Sequence, residues 1–399
     1  MINITDKSAC CGCSACAAIC PKNCIQLKED EEGFVYPEVE KNNCVECGAC
    51  ERVCPIKNRI TEKSFIQDGY VVQNKDPQVL RESTAGGAFT AIAKYVIRRG
   101  GVVFGVALSD KLMAHHIWVD NEIDLEKFRN SKYMQSFPGG AFGDVKSFLK
   151  QGKLVCFSGT PCQVEGLKHY LGKEYQNLIT VDVVCRAVPS PMIFRKYLDL
   201  QNKRLDAPIE DVRFRDKHYG YKYSTMNITT DKNQGNYHQG IETDPWLRAF
   251  FSGLCVRPSC YTCQFKKRYR VSDFTLWDCF NVGRFSKELD NDKGATRILV
   301  HTDKGRKIYE EISTDLRYVR IAPEKIIEGT AEMVKPVKYN SLRDQFMQDA
   351  TVMDCEELFD KYFPSTFKVK AEHCLRLICY KFGIYSIVKK AYVRITHKY

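Results

Sequence analysis

KLVCFSGTPCQVEGLKHYL, residues 153–171, packs an apolar run, a Gly-Thr-Pro break and a helical pattern into one line of sequence. A strand is expected over 154–157, a tight turn at Gly159 and Thr160, and a helix over 162–171. Working outward, LITVDVVC (178–185) reads as a second buried strand ending at Cys185, and GGVVFGVAL (100–108) as a third. Phe89, Ile92, Ala93, Val96 and Ile97 recur at helical spacing within 84–99. GYVVQN (69–74) reads as a short strand, HHIWV (115–119) is strand-like, and 341–363 reads as one further helix. Apolar runs separated by helices predict an α/β domain with a largely parallel sheet.

This arrangement gives two cysteines a purpose. Cys162 falls where a strand becomes a helix, and Cys185 ends the next strand. In a right-handed βαβ unit both positions lie on the carboxyl edge of the sheet, where ligands bind. Free amides at a helix start also favour an anionic thiolate cluster. RPSCYTCQF (257–265) adds Cys260 and Cys263 as a lone C-x2-C. Such a pair is half a zinc site, half a cluster site or a redox dithiol. With Cys162 and Cys185 it makes four, so a 4Fe-4S cluster on these thiols is expected, with Cys255 as a competing ligand. Cys156, Cys279, Cys355, Cys374 and Cys379 read as structural.

Composition narrows the setting. The chain has 399 residues, 44% of them hydrophobic, 27% charged, and 20 cysteines. MINITDKSACCG does not resemble a signal peptide, so the thiols are expected to be metal ligands rather than a disulfide framework, and the chain cytoplasmic. The net charge of +11 is concentrated: residues 365–399 carry eight Lys/Arg and one Glu, giving +7. The rest is nearly balanced, which argues against a nucleic-acid binder.

Near the start, CCGCSACAAICP and CVECGACERVCP both follow C-x2-C-x2-C-x3-C-P. A zinc module uses four ligands in C-x2-C pairs, not two interlocked sets of four closed by Cys-Pro. The doubled run resembles bacterial two-cluster ferredoxins, in which the fourth Cys of each run ligates the other cluster. The resemblance implies Cys10, Cys13, Cys16 and Cys54 on one cluster, and Cys44, Cys47, Cys50 and Cys20 on the other. A small hairpin is expected between the runs. Cys11 and Cys24 fall outside the spacing and read as buried small apolar residues.

GTPCQVEGL, VDVVCRAVPS, FRDKHYGY, RPSCYTC and SDFTLWD, in that order, resemble the beta-subunit family of coenzyme F420 hydrogenases and dehydrogenases over about residues 69–311. The resemblance implies a bound FAD and a 4Fe-4S cluster in this domain. A flavin is also what converts one-electron cluster chemistry to two-electron chemistry. Candidate flavin contacts are Ser83, Thr84, Gly86 and Gly87 at a helix start, Lys132, Tyr133 and Gln135 in SKYMQS, Gly159 and Thr160 in the turn, and Arg215 and Lys217 in FRDKHYGYK. Cys185-Arg186-Ala187 replaces the family's Cys-His-Gly, and Trp277 to Asn281 replaces Gly-Asp-Phe-Trp-Gly. Both changes add bulk near the active face and set deazaflavin in doubt as the substrate. No catalytic residue is singled out.

The expected organisation is a ferredoxin domain at 1–60, a family-like domain in two parts at 69–150 and 151–335, and a helical basic extension at 336–399. The expected function is an iron-sulfur flavoprotein oxidoreductase that exchanges electrons with a redox partner or carrier and a small-molecule acceptor. An electron-transfer subunit feeding a separate catalytic partner and a non-catalytic redox sensor are the alternatives. The basic segment 365–399 is suited to another subunit, to the inner face of a membrane, or to its own domain.

Overall fold

The computed structural model describes residues 1–232, 237–385 and 387–388. Two short helices, α1 (Ala15–Ala18) and α2 (Ala49–Arg52), lie inside the two cysteine runs, and the strands β1 (Ile25–Glu29) and β2 (Val35–Val39) form the expected antiparallel hairpin between them. Each helix is entered through a left-handed residue, Ser14 (φ 67°) and Gly48 (φ 68°). The duplicated sequence therefore has a duplicated backbone.

The body opens with β3 (Asp68–Asn74), α3 (Pro77–Glu82), α4 (Ala88–Ile97), β4 (Val102–Leu108), β5 (Ala114–Val119) and α5 (Ala141–Lys150). β6 (Val155–Gly159), α6 (Pro161–Leu171) and β7 (Leu178–Val183) follow, matching the quoted stretch closely. An excursion then forms α7 (Pro191–Leu205), β8 (Ile209–Asp216), β9 (Thr225–Thr230), β10 (Tyr237–Gln239) and α8 (Pro245–Ser252). The chain returns through β11 (Phe274–Asp278), β12 (Thr296–Val300), α9 (Asp303–Ile312) and β13 (Leu316–Ile321). It ends in α10 (Pro323–Ile327), α11 (Ala331–Val334), α12 (Arg343–Val352), α13 (Cys355–Tyr362) and α14 (Phe367–Lys381).

Eight strands make one sheet in the order β13-β3-β12-β11-β7-β6-β4-β5. The neighbours β11-β7-β6-β4 pair in parallel, while β12, β13 and β5 run antiparallel to their neighbours. The pleat sends alternate residues to opposite faces. Val103, Cys156 and Ile179 pack against α4 and α9, while Phe104, Val155, Phe157 and Leu178 pack against α5 and α6. Each large apolar side chain buried in this way contributes about 1.5–3 kcal/mol. A second core surrounds Trp246 and joins α7, α8 and the three-stranded sheet β10-β9-β8 to α12 and α13.

Two sequence expectations need correction. The helix expected over 84–99 begins only at Ala88, because Gly87 is left-handed (φ 76°) and residues before it run against the sheet. A Cβ on Gly86 would lie 2.2 Å from the Val72 carbonyl. The single helix expected over 341–363 is two: Met353 is extended, and the Asp354 carboxylate caps a new helix by accepting the N–H groups of Glu356 and Glu357. The end of the basic segment, residues 389–399, lies outside the described residues, as does residue 386.

Candidate functional site

The carboxyl ends of β6 and β7 carry the first two candidate ligands. Cys162 occupies the first turn of α6, where Gln163 Oε1 accepts the Thr160 N–H (3.0 Å) and the Thr160 hydroxyl lies 3.1 Å from Cys162 Sγ. Cys185 follows β7 by two residues. Between α8 and β11, the 257–265 loop returns to the same place, held by Cys260 N–H on the Arg257 carbonyl and Arg257 N–H on the Val188 carbonyl. Cys162, Cys185, Cys260 and Cys263 line one cavity of about 160 Å³. Cys255 does not: it is fully buried in the core around Trp246.

Cys11 lines the same cavity, where the sequence suggested only a buried filler. Its signal was invisible in the spacing, because Cys11 belongs to the ferredoxin run and reaches the body only through docking. Burial pushes Cys185 up to about 12 and raises Cys260 and Cys263, while the Cys11 thiol, ahead of burial, raises Cys162. Such thiols ionise only against compensating positive charge, which iron supplies. Arg270 adds more: its Nη1 donates to Asp182 Oδ1 (3.1 Å) and the Val183 carbonyl (3.0 Å). Lys266 Nζ donates to the carbonyls of Cys185, Arg186 and Glu332, and both cations line the cavity. Thiols around a space of this size fit a multi-iron cluster better than one ion with bonds of about 2.3 Å. Among the described residues, no three His, Cys, Asp or Glu side chains form a compact single-ion cage.

In the small module, a second cavity is lined by Cys20, Cys44, Cys47 and Cys50. This is the set the ferredoxin resemblance implied. Cys24, expected as filler, is buried but also lines this cavity, with Sγ 3.4 Å from Cys20 Sγ. In the other half, burial and then the Cys10 and Cys54 thiols push Cys16 up to about 12, so three of the four remaining candidate ligands lie together. The fourth, Cys13, is pressed onto α6: a Cβ on Gly166 would stand 2.9 Å from Cys13 Cβ.

Arg257 joins the module to the body. It is fully buried, and its guanidinium donates to the Cys10 carbonyl (2.8 Å), the Val35 carbonyl (3.1 Å) and Gln135 Oε1 (3.3 Å). It lies 3.5 Å from Cys10 Sγ and 4.1 Å over the Tyr36 ring. The buried pair Lys267–Glu165 (2.7 Å) adds a further tie, because Lys267 also donates to the Ile60 carbonyl.

The flavin candidates separate into three groups. Arg215, Tyr133 and Thr84 gather on one patch with Ser131: Arg215 Nη1 donates to Tyr133 Oη (3.3 Å) and Asp278 Oδ2 (3.2 Å), and Thr84 Oγ1 lies 3.0 Å from Ser131 Oγ. Among the described residues, Arg215 Nη2 is buried without a hydrogen-bond partner, beside the exposed Phe280 ring. An anionic or carbonyl-rich ligand would satisfy it. Ser83 caps the end of α3 next to Thr84.

Gly86, Gly87, Lys132 and Lys217 form the second group, and they serve the fold. The Gly86 N–H is taken by Thr296 Oγ1, and the Gly87 carbonyl by Asn74. Lys217 Nζ donates to the carbonyls of Leu80, Ala85 and Lys293, and Lys132 Nζ to those of Lys127 and Arg129. Burial lowers both amines to about 7, and these carbonyls occupy both candidate flavin contacts. In the third group, Gln135 is engaged by Arg257 and the Val35 N–H at the module boundary, and Gly159 and Thr160 support Cys162. Asp273 accepts from Thr180 and Thr302.

Residues 9–58 match the family model for a 4Fe-4S dicluster domain, and residues 152–325 match that for the C terminus of the coenzyme F420 hydrogenase/dehydrogenase beta subunit. No curated protein matches the chain. Among solved structures, a chain of the xenon-derivatised F420-reducing [NiFe] hydrogenase complex from Methanosarcina barkeri aligns at 16% identity and a TM-score of 0.43, over 76% of this chain and 92% of that one. The two family matches mark the chain as an iron-sulfur protein of electron-transfer, oxidoreductase type.

Proposed function

We propose that this chain, which joins a 4Fe-4S dicluster domain to the C-terminal beta-subunit domain of the coenzyme F420 hydrogenase/dehydrogenase family, relays electrons between a redox partner at its small module and a two-electron acceptor at its sheet edge. The observation that carries the reading is the cysteine-lined cavity wedged between module and body. When bound, iron-sulfur clusters carry single electrons, and a flavin couples two of them to a proton and a small-molecule acceptor.

The residues divide that work. The two interlocked sets of module cysteines would hold two clusters, and exposed Cys47 would face the redox partner or carrier. Cys162, Cys185, Cys260 and Cys263 would hold the third, with Lys266 and Arg270 offsetting its negative charge. Arg215, Thr84, Ser131 and Tyr133 would hold the flavin, with Ser83 alongside, and Arg215 would take its phosphate or carbonyl oxygens. Arg186 bridges the two regions: it lines the cysteine cavity, and its guanidinium carbon lies 5.4 Å from the Phe251 ring, which itself packs on Tyr133. A chain with 20 free thiols suits the reducing cytoplasm.

Flavin content tests the acceptor end. Protein purified without air is expected to release a yellow chromophore on denaturation, near one per chain, and Arg215→Ala to lose most of it while keeping its iron. Colourless wild-type supernatant would refute the flavin half of the proposal.

A further inference from the structure

α14 docks through a mixed face and leaves an apolar stripe in solvent. Toward the body it turns a mixed face: His373 Nδ1 lies 2.9 Å from Glu242 Oε1 and Arg376 Nε 3.7 Å from Glu242 Oε2, Arg376 Nη1 donates to Tyr385 Oη (3.0 Å), and Leu377 and Cys379 pack with Tyr219, Tyr223 and Tyr385. Tyr223 Oη also donates to Glu242, at 2.6 Å. Cys379 is the one side chain of the helix that is buried.

The opposite stripe is apolar and faces out. Phe367, Ala371, Cys374, Leu375 and Ile378 recur at three- and four-residue spacing along one side, with Phe382 just past the end. Phe367 is 87% exposed, Phe382 73% and Leu375 55%, and Ile387 beyond them is 69% exposed. A soluble helix normally buries such a stripe and solvates its ions. Here the docked side is mixed and this apolar stripe stays in solvent, so the stripe is built for an apolar partner.

Charge identifies the partner. Lys368 flanks the stripe on one side and Lys370 and Lys381 on the other, all exposed. Glu372, the sole acidic residue in 365–399, is drawn to Arg376 (2.7 Å) on the inward side. A single convex stripe between lysines, with no acid on its face, matches a bilayer surface with anionic headgroups: apolar side chains enter the acyl boundary and the amines meet phosphate or carboxylate. No helix among the described residues is long and apolar enough to cross a membrane, so the contact is one of lying on the surface.

We infer that α14 is a peripheral membrane anchor for anionic bilayers. This inference is independent of the electron-transfer reading.

The test is co-sedimentation of the full-length, iron-loaded protein with vesicles of phosphatidylcholine containing about a third phosphatidylserine, against phosphatidylcholine alone. Wild type is expected to bind the anionic vesicles at least tenfold better, and to release in high salt. Leu375→Glu with Ile378→Glu should abolish binding, and Lys368→Glu with Lys370→Glu and Lys381→Glu should weaken it at least tenfold. Both variants should keep wild-type iron content, because the docked face is untouched. Vesicle binding unchanged in the apolar variant, or absent in wild type, would overturn the inference. So would wild-type self-association that the same variant abolishes without any vesicle binding, since the stripe would then be a protein interface.

Discussion

Two kinds of thiol cage stand side by side in this molecule. In the small module, three cysteines of each cage are neighbours in sequence, aimed by backbone turns through Ser14 and Gly48, and the fourth comes from the other run. In the body, Cys162, Cys185, Cys260 and Cys263 span about a quarter of the chain and meet only because β6, β7 and the 257–265 loop converge on one sheet edge. The first kind is built within residues 10–54. The second depends on the whole α/β body, and on the module pressed against it through Cys13 and Arg257.

That difference can be broken at the body cage first. Cys260→Ser with Cys263→Ser should remove one cluster in three and leave the module's two, dropping iron from about 12 to about 8 per chain. A next, smaller effect is expected at the seam. Gly166→Val pushes a side chain into Cys13, and overpacking of this kind costs about 1–3 kcal/mol. Its Tm should fall, and stopped-flow should show slowed electron passage from module to body with iron content unchanged.

Arg257 sharpens the comparison further. Its cation lies 3.5 Å from Cys10 Sγ, so Arg257→Gln should make the adjacent module cluster harder to reduce. A loss of about 1.4 kcal/mol corresponds to about 60 mV for a one-electron couple. Redox titration followed by electron paramagnetic resonance should show one module cluster shifted to more negative potential and the other unmoved. Equal shifts in both would mean that Arg257 acts on the module's fold instead.

A further effect separates the regions by pH. The module, residues 1–60, has no histidine. In the body, burial lowers His116 to about 4 and His301 to about 3. An unfolded histidine titrates near 6.5, so below that pH the unfolded body binds more protons than the folded one. This stability is complete above about pH 6.5 and is lost as pH falls toward 4, by up to about 3 kcal/mol per histidine. Denaturant titrations at pH 7.5 and 5 should show it, and His116→Phe should flatten the slope.

The same contrast explains what was legible in the sequence. Local spacing announced the module's eight candidate ligands, and the apolar runs announced β6, α6 and β7, which made Cys162 and Cys185 readable. Cys11 was not readable, because its place in the body cavity comes from docking. Lys217 looked like an anion ligand because a lysine in a loop carries no sign of the three carbonyls that enclose it. Gly86 resembled a phosphate loop, but its missing Cβ serves the approach to Val72. The apolar stripe of α14 lay in the residues, yet only its docking showed which side faces out.

The most direct test counts iron and sulfide per chain in protein made without air, wild type beside Cys260→Ser/Cys263→Ser. The account predicts about 12 irons falling to about 8, with the lost signal distinct from the two module clusters. About 8 irons in both proteins would mean that the body cage holds no cluster and the relay ends in the small module.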